Sequence, residues 1–254
     1  MTAPSSLDTT SNGTCPTGAL ARIGLIGDVH AQDQSLEATL AHLENAGVDA
    51  LLCTGDVADG PGDIERCIEL LKRHRVHTVK GNHDRWLLQD KARHVPNAHR
   101  RDDVSEQARL YLENLPTQIR LDTVAGPLLL CHGVLDNDLQ KVWPGTQRMP
   151  AERCAKLDAL IANRDTRWMI NGHVHYRTLI HFEQLTLINA GTLRGDHHPG
   201  FSLIDLTADE IIGFELEGGV HEVRRQALSA GTDTRIFANT QQFDGEWTPV
   251  TLYA

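Results

Sequence analysis

Three carboxylates, one carboxamide and five histidines recur in five short polar segments, each following an apolar run. The segments are Gly27-Asp28-Val29-His30, Gly55-Asp56, Gly81-Asn82-His83-Asp84, Cys131-His132-Gly133 and Gly172-His173-Val174-His175. Asp28 and Asp56 offer carboxylate oxygens, Asn82 an amide oxygen, and His30, His132, His173 and His175 imidazole nitrogens. That complement suits two adjacent metal ions. Mixed nitrogen and oxygen donors without thiolate favour Mn, Fe, Zn, Co or Ni over Ca or Mg. Any one segment alone is weak, because a single histidine at a strand end is more often a hydrogen-bonded surface residue. Their conjunction is stronger, since α/β folds place their sites beyond strand ends. Asp28 and His30, two apart on an extended segment, would share a face and one metal. His173 and His175 repeat the spacing. Asp56 has ligands on either side of it in sequence and two oxygens, so it is the carboxylate expected to bridge.

The elements that must position these groups alternate. From residue 22 to about 170, short β-branched or Leu-rich runs alternate with amphipathic stretches, the pattern of βαβ units and a largely parallel layer. Strands are expected at 23–26, 50–53, 76–79, 119–121, 127–131 and 168–170. Helices are expected at 35–46, at 64–74 behind an Asp63 cap, at 104–115 before Pro116, and at 150–163. After His175 the runs at 178–181, 186–189, 201–206, 211–216 and 220–225 read as antiparallel strands of a second sheet packed on the first. Residues 1–21 read as a flexible leader and 22–254 as one domain with a mainly β C-terminal extension; residues 229–254 are polar and hard to place.

Composition excludes several function classes. At 254 residues, 40% hydrophobic and 23% charged, the chain has the make-up of an ordinary soluble globular protein. No window of about 18 apolar residues could cross a bilayer. The formal charge of −10 argues against long nucleic acid and anionic membranes, which are bound by clustered Lys and Arg. The basic stretch from Lys91 to Arg101, with Arg93, His94, His99 and Arg100, reads as a solvated loop ended by Asp102 and Asp103. Five cysteines (Cys15, Cys53, Cys67, Cys131 and Cys154) show no CxxC spacing and read as reduced buried thiols. With no signal peptide apparent, a cytoplasmic location is expected.

In their order along the chain, the five segments resemble those of the calcineurin-like metallophosphoesterase superfamily, the match running from Asp28 to His175. The resemblance implies a four-layer αββα sandwich of two mixed sheets flanked by helices. It implies that Asp28, His30, Asp56 and His175 hold one metal while Asp56, Asn82, His132 and His173 hold the other, with Mn or Fe favoured. The implied activity is hydrolysis of a phosphate monoester or diester by a hydroxide shared between the metals. Asn82 and His83 would contact substrate, and His83 would protonate the leaving group as general acid. Asp59 resembles the carboxylate that orients this histidine, although it could be a plain turn residue before Gly60-Pro61-Gly62. The segment Ile188-Asn189-Ala190-Gly191-Thr192 resembles a turn that follows the site in the family, with Ala190 in place of proline.

Two departures bear on substrate. Serine/threonine protein phosphatases carry an arginine where this chain has Gly60 and a glutamate where it has Asp84, so that reading loses ground to small phosphatases and phosphodiesterases acting on small molecules or nucleotides. A small-nucleotide nuclease and a scaffold that has lost catalysis are the alternatives. Arg85, Arg177 and Arg194 adjoin the segments and are candidates for substrate phosphate or for plain surface charge. His197 and His198 read as loop residues.

Overall fold

The protein, described here by a computed structural model, is defined over residues 18–195 and 197–254. Cys15 and the leader up to residue 17 lie outside the described residues. Leu20 already belongs to the fold: it is buried, its N–H donates to the Asp122 carbonyl, and its own carbonyl accepts from Val124. Leu20, expected in the leader, is therefore part of the folded domain.

Strand β1 (Arg22–Ile26) leads through helix α1 (Asp33–Asn45) to β2 (Ala50–Cys53), which pairs with β1 in parallel. Helix α2 (Ile64–Arg73) starts at Asp63, whose side chain accepts from the Arg66 N–H, and feeds β3 (His77–Thr78). Helices α3 (Asn82–Leu88) and α4 (Glu106–Asn114) follow. The next strands are β4 (Gln118–Thr123), β5 (Gly126–Cys131), β6 (Trp168–Asn171), β7 (Arg177–Phe182) and β8 (Thr186–Ala190), with helix α5 (Ala155–Asn163) between β5 and β6. Then come β9 (Gly200–Asp205), β10 (Glu210–Glu215), β11 (His221–Ala227), β12 (Ile236–Phe237) and β13 (Val250–Thr251). Helix α5 begins five residues later than expected because residues around Glu152 instead bridge to Trp143.

One sheet runs β11-β10-β9-β1-β2-β3, and the other β12-β7-β8-β6-β5-β4 with β13 beside β7. Both are mixed. The expected division into an early parallel sheet and a late antiparallel one is therefore wrong. Strands β4 to β6 leave the first sheet; β7 and β8 join them, β8 parallel to β6, and β9 returns antiparallel to β1. Hydrophobic runs reveal that strands exist, whereas their partners are chosen by tertiary packing.

Three apolar layers hold four layers of structure. Leu36, Leu40, Cys67, Leu71 and Leu112 of α1, α2 and α4 cover the outer face of the first sheet. Ile23, Leu25 and Leu52 face Leu128, Leu130, Ile170 and Ile188 between the sheets. Leu129, Met169, Leu187 and Ile180 are covered by Leu157, Leu160 and Ile161 of α5 together with Phe237, Phe243 and Trp247. The outermost layer is thus one helix plus the C-terminal segment. Each fully buried Leu or Ile contributes about 1.5–3 kcal/mol relative to exposure. Strands β1, β2 and β3 are parallel, as are β5 and β6, so the residues after their C-terminal ends gather along one edge of the sandwich.

Candidate metal centre

The polar segments occupy that edge, and their local backbone differs from the expected extended form. His30, Asp56, Asp59, His173 and His175 all have positive φ, between 45° and 66°. Residues with a Cβ rarely adopt this left-handed conformation, and where they do it marks backbone held against its preference. The pairs Asp28/His30 and His173/His175 converge because the chain turns sharply, not because alternate strand residues share a face.

All seven expected ligands meet here. His30 Nε2 lies 3.2 Å from His175 Nε2, which is 3.3 Å from Asp28 Oδ2. His132 Nε2 lies 3.3 Å from Asp56 Oδ2. Among the described residues, three groups of donors, each mutually within 4.8 Å, could hold an ion: Asp28/His30/His175, His30/Asp56/His83 and Asp56/His132/His173. His30 is common to the first and second of them and Asp56 to the second and third, so the donors form one continuous cluster.

The surrounding backbone fixes how the donors present themselves. His30 Nδ1 faces the Asp59 carbonyl at 3.0 Å and His132 Nδ1 the Thr54 carbonyl at 2.7 Å. A proton on each Nδ1 leaves Nε2 turned into the site, the usual support for a metal-binding imidazole. Asp28 accepts from the Thr54 hydroxyl at 2.8 Å and the His173 N–H at 2.9 Å, and Asp56 accepts from the His83 N–H at 2.8 Å. Gly172 and Gly81 make these contacts possible: a Cβ would stand 2.1 Å from Asp28 Oδ1 at one and 2.0 Å from Asp56 Oδ1 at the other. Asp84 ties two segments together, accepting from Ala58 N–H at 3.0 Å and Gly81 N–H at 2.9 Å.

The donor set fits cations. Asp28 and Asp56 are at most 1% exposed in one small volume, and two buried carboxylates demand positive charge nearby. Burial disfavours the His132 imidazolium, but the Asp56 and Asp28 carboxylates overcome it and push its pKa up to about 10. Burial lowers His30, and burial with the neighbouring His132 charge lowers His173 to about 4, so both offer neutral rings. One end of the Asn82 carboxamide lies 2.9 Å from His132 Nε2, 2.9 Å from His173 Nδ1 and 3.3 Å from the Asp138 carbonyl oxygen. With its nitrogen there the amide donates to these acceptors; with its oxygen there, lone pairs converge as a bound cation requires.

Beside the donors stands a second network. His83 Nδ1 bonds Asp59 Oδ2 at 2.8 Å. Asp59, 1% exposed, also takes both guanidinium arms of Arg93, at 2.8 and 3.0 Å, and the His99 N–H at 3.0 Å. Its own N–H donates to His99 Nδ1 at 3.0 Å. Burial would raise the Asp59 pKa, but these bonds hold its carboxyl well below the usual range. For His83 burial favours the neutral ring, and the Asp59 bond with nearby carboxylates outweighs it, leaving the pKa raised. Arg93 and His99 were read from sequence as a solvated loop; no local pattern marks them, because their partner lies 34 and 40 residues earlier in the chain.

The flanking arginines divide. Arg85 is clamped bidentately to Asp138, at 2.6 and 2.7 Å. Arg177 is 1% exposed and donates to the carbonyls of Phe201 and Phe214. It is therefore a structural residue rather than a phosphate contact. Gly60 has no room for a side chain, since a Cβ would lie 1.6 Å from the His30 carbonyl oxygen. His197 packs edge-on to His175 with centroids 5.4 Å apart, and His198 stacks on Tyr253 at 4.3 Å. The Gly191-Thr192 turn pairs with Asp28, whose N–H donates to the Gly191 carbonyl and whose carbonyl accepts from the Thr192 hydroxyl.

Comparison with known proteins bears on the family and the fold. The profile of the calcineurin-like phosphoesterase superfamily domain matches residues 21–209, and the chain belongs to that family. An uncharacterised protein of Methanocaldococcus jannaschii is 32% identical over 66 residues, a stretch covering 26% of this chain and only 27% of that relative. The fold is shared with a metallophosphoesterase from Sphaerobacter thermophilus (22% identity, TM-score 0.53, 81% of this chain and 88% of that one). It is also shared with the E. coli phosphoesterase Yfce (17% identity, TM-score 0.51, 82% and 100%). Vps29 from Entamoeba histolytica, solved with zinc, is likewise similar (18% identity, TM-score 0.50, 82% and 99%). Among the described residues no helix is long and apolar enough to cross a membrane.

Proposed function

We propose that the chain is a binuclear-metal-dependent phosphoesterase that hydrolyses small phosphate monoesters or diesters, nucleotides among them. The observation that carries this reading is one continuous cluster of donors, joined through His30 and Asp56, with His83 at its margin backed by Asp59. Asp28, His30, Asp56 and His175 would hold one ion, and Asp56, Asn82, His132 and His173 the other, with Mn or Fe favoured. When bound, such a pair supplies Lewis acidity toward phosphate oxygens and a water acidic enough to attack near neutral pH.

The chain's own groups do the rest. The carbonyls of Asp59 and Thr54 hold the His30 and His132 tautomers, while the N–H groups of His173 and His83 hold the two carboxylates. Because Asp59 engages His83 Nδ1, the proton to be donated is on Nε2. It passes to the departing ester oxygen as the Nε2–H bond breaks and an O–H bond forms. Asn82 and His83 would also touch the substrate phosphoryl group. The buried thiols Cys53, Cys67, Cys131 and Cys154 suit a reducing cytoplasm.

The test is metal content and turnover measured together. The purified chain, loaded with Mn, should carry two ions and hydrolyse bis(p-nitrophenyl) phosphate or p-nitrophenyl phosphate. Asp56→Asn should lose metal and activity, whereas His83→Ala should keep metal and lose about 10²–10⁴-fold in kcat on esters of weakly acidic alcohols. Two bound ions with no turnover across a broad ester panel would sink the proposal.

A further inference from the structure

We propose that Arg93 is a positioning residue for the proton donor, locking Asp59 so that His83 is held at one angle toward the leaving group. This deepens the reading above and rests on it for its kinetic arm.

A carboxylate has about four lone-pair sites. Asp59 uses all of them: His83 Nδ1 at 2.8 Å, Arg93 at 2.8 and 3.0 Å, and the His99 N–H at 3.0 Å. Two of the four come from one planar fork, and a bidentate pair fixes the plane of the carboxylate as well as its place. The plane matters because Oδ2 serves both Arg93 and His83, so rotating the carboxylate would swing the imidazole with it. Arg93 is in turn anchored, Nη1 donating to the His99 carbonyl at 2.7 Å and Nε to the Lys91 carbonyl at 2.7 Å. The loop after α3 thereby grips the dyad through the Asp59 carboxylate rather than through the metal donors, which distinguishes its role from theirs. A shift of the donor by about 1 Å is enough to cost roughly 10²-fold in rate.

Without the guanidinium, Asp59 keeps His83 and one backbone donor but loses the fork that sets its plane. Proton delivery then suffers, while the seven candidate ligands keep their contacts. The step itself is unchanged: Nε2–H breaks, the leaving oxygen gains the proton, and Nδ1–H remains on Asp59.

The experiment compares wild type, Arg93→Ala and Arg93→Lys as Mn-loaded proteins, with phenyl and p-nitrophenyl esters as paired substrates. Arg93→Ala should lower kcat on the phenyl ester by about 10–100-fold, with KM and bound metal unchanged, and barely alter the p-nitrophenyl rate, whose leaving group needs no proton. Free guanidinium, far below denaturing concentrations, should restore part of the loss, entering through the cavity of about 630 Å³ lined by Arg93, His99, Arg100 and Arg101. Arg93→Lys, keeping charge but not the fork, should fall between. Independently of activity, in protein loaded with diamagnetic Zn in place of Mn, the Nδ1–H proton resonance of His83, assigned by its loss in His83→Ala, should disappear or broaden in Arg93→Ala and return with guanidinium. Equal kinetic loss on both esters, or an unchanged His83 resonance, overturns the inference. A wild type that hydrolyses neither ester overturns the proposed function instead, leaving the resonance to decide on Arg93.

Discussion

Gly172 is the point where the logic of the site can be tested most sharply. A Cβ there would stand 2.1 Å from Asp28 Oδ1 and 2.6 Å from Thr54 Oγ1, two atoms hydrogen-bonded to each other at 2.8 Å. Ordinary contact begins near 3.4 Å, so the Gly172→Ala substitution requires the carboxylate to retreat by about 1.3 Å. That displacement breaks the 2.9 Å bond from the His173 N–H and opens the 3.3 Å approach to His175. A lost hydrogen bond to a charged group costs about 1.5–3 kcal/mol, and overpacking a tight site about 1–3 kcal/mol. A net loss of about 3 kcal/mol follows, some 6–12 °C in Tm for a chain of this size. Metal affinity should fall at least 10–100-fold, the usual effect of disturbing groups that orient ligands. Thermal melts of metal-free protein and metal titration calorimetry measure the two effects separately. Gly18→Ala, with open space around its Cβ, is the control. A Gly172→Ala protein with wild-type melting and two wild-type metal affinities would refute the reasoning, since the carboxylate would then not be seated against this glycine.

The remaining expectations concern charge and burial. His181 is 4% exposed, and burial, helped by Arg167, lowers its pKa to about 4. The unfolded chain, with a histidine pKa near 6.5, binds more protons between those values, so this residue's stabilisation is complete above about pH 6.5 and lost as pH falls toward 4. His181→Leu should therefore flatten that acid limb by about 2–3 kcal/mol in urea titrations; parallel wild-type and variant curves would contradict it. Arg177→Met should lower Tm by about 6–12 °C through stranded carbonyls at Phe201 and Phe214 while leaving KM untouched; a raised KM at unchanged Tm would return Arg177 to the substrate. Mn added to chelator-treated protein at a hundred times its Kd should stabilise by about 2.7 kcal/mol for each ion bound, and an equal Tm rise in Asp56→Asn would place the ions elsewhere.

What could be read from sequence and what could not follow from the range of the forces involved. The Asp63 cap, the span of β2 and the inward faces of α1 and α2 are set within a few residues, and periodicity reveals them. The polar segments were legible for a similar reason, because each is a local consequence of a strand ending. Helix α3 escaped notice: it is short and opens on Asn82-His83-Asp84, residues that satisfy the site before they serve a helix. The positive φ of His30, Asp56, His173 and His175 has no local signature either, since nothing but the assembled site selects that conformation. Arg93 is the clearest case. Its side chain looks solvated in a loop rich in charge, and only the fold brings Asp59 to it.

The division of strands between the sheets explains why the site needs both halves of the chain. Asp28, His30, Asp56 and Asn82 follow strands of one sheet, and His132, His173 and His175 follow strands of the other. Every contact across the seam is therefore also a tether between sheets: Thr54 carbonyl to His132, Asp28 carboxylate to the His173 N–H, and Asp28 backbone to Gly191 and Thr192. The apolar layer between Leu25 and Leu52 on one side and Leu130 and Ile170 on the other sets the distance those tethers span. Close-packed interiors transmit small displacements rather than absorbing them. A truncation in that layer should thus reach the donors without touching them, because three donors of one proposed ligand set and two of the other move with the first sheet and the rest with the second.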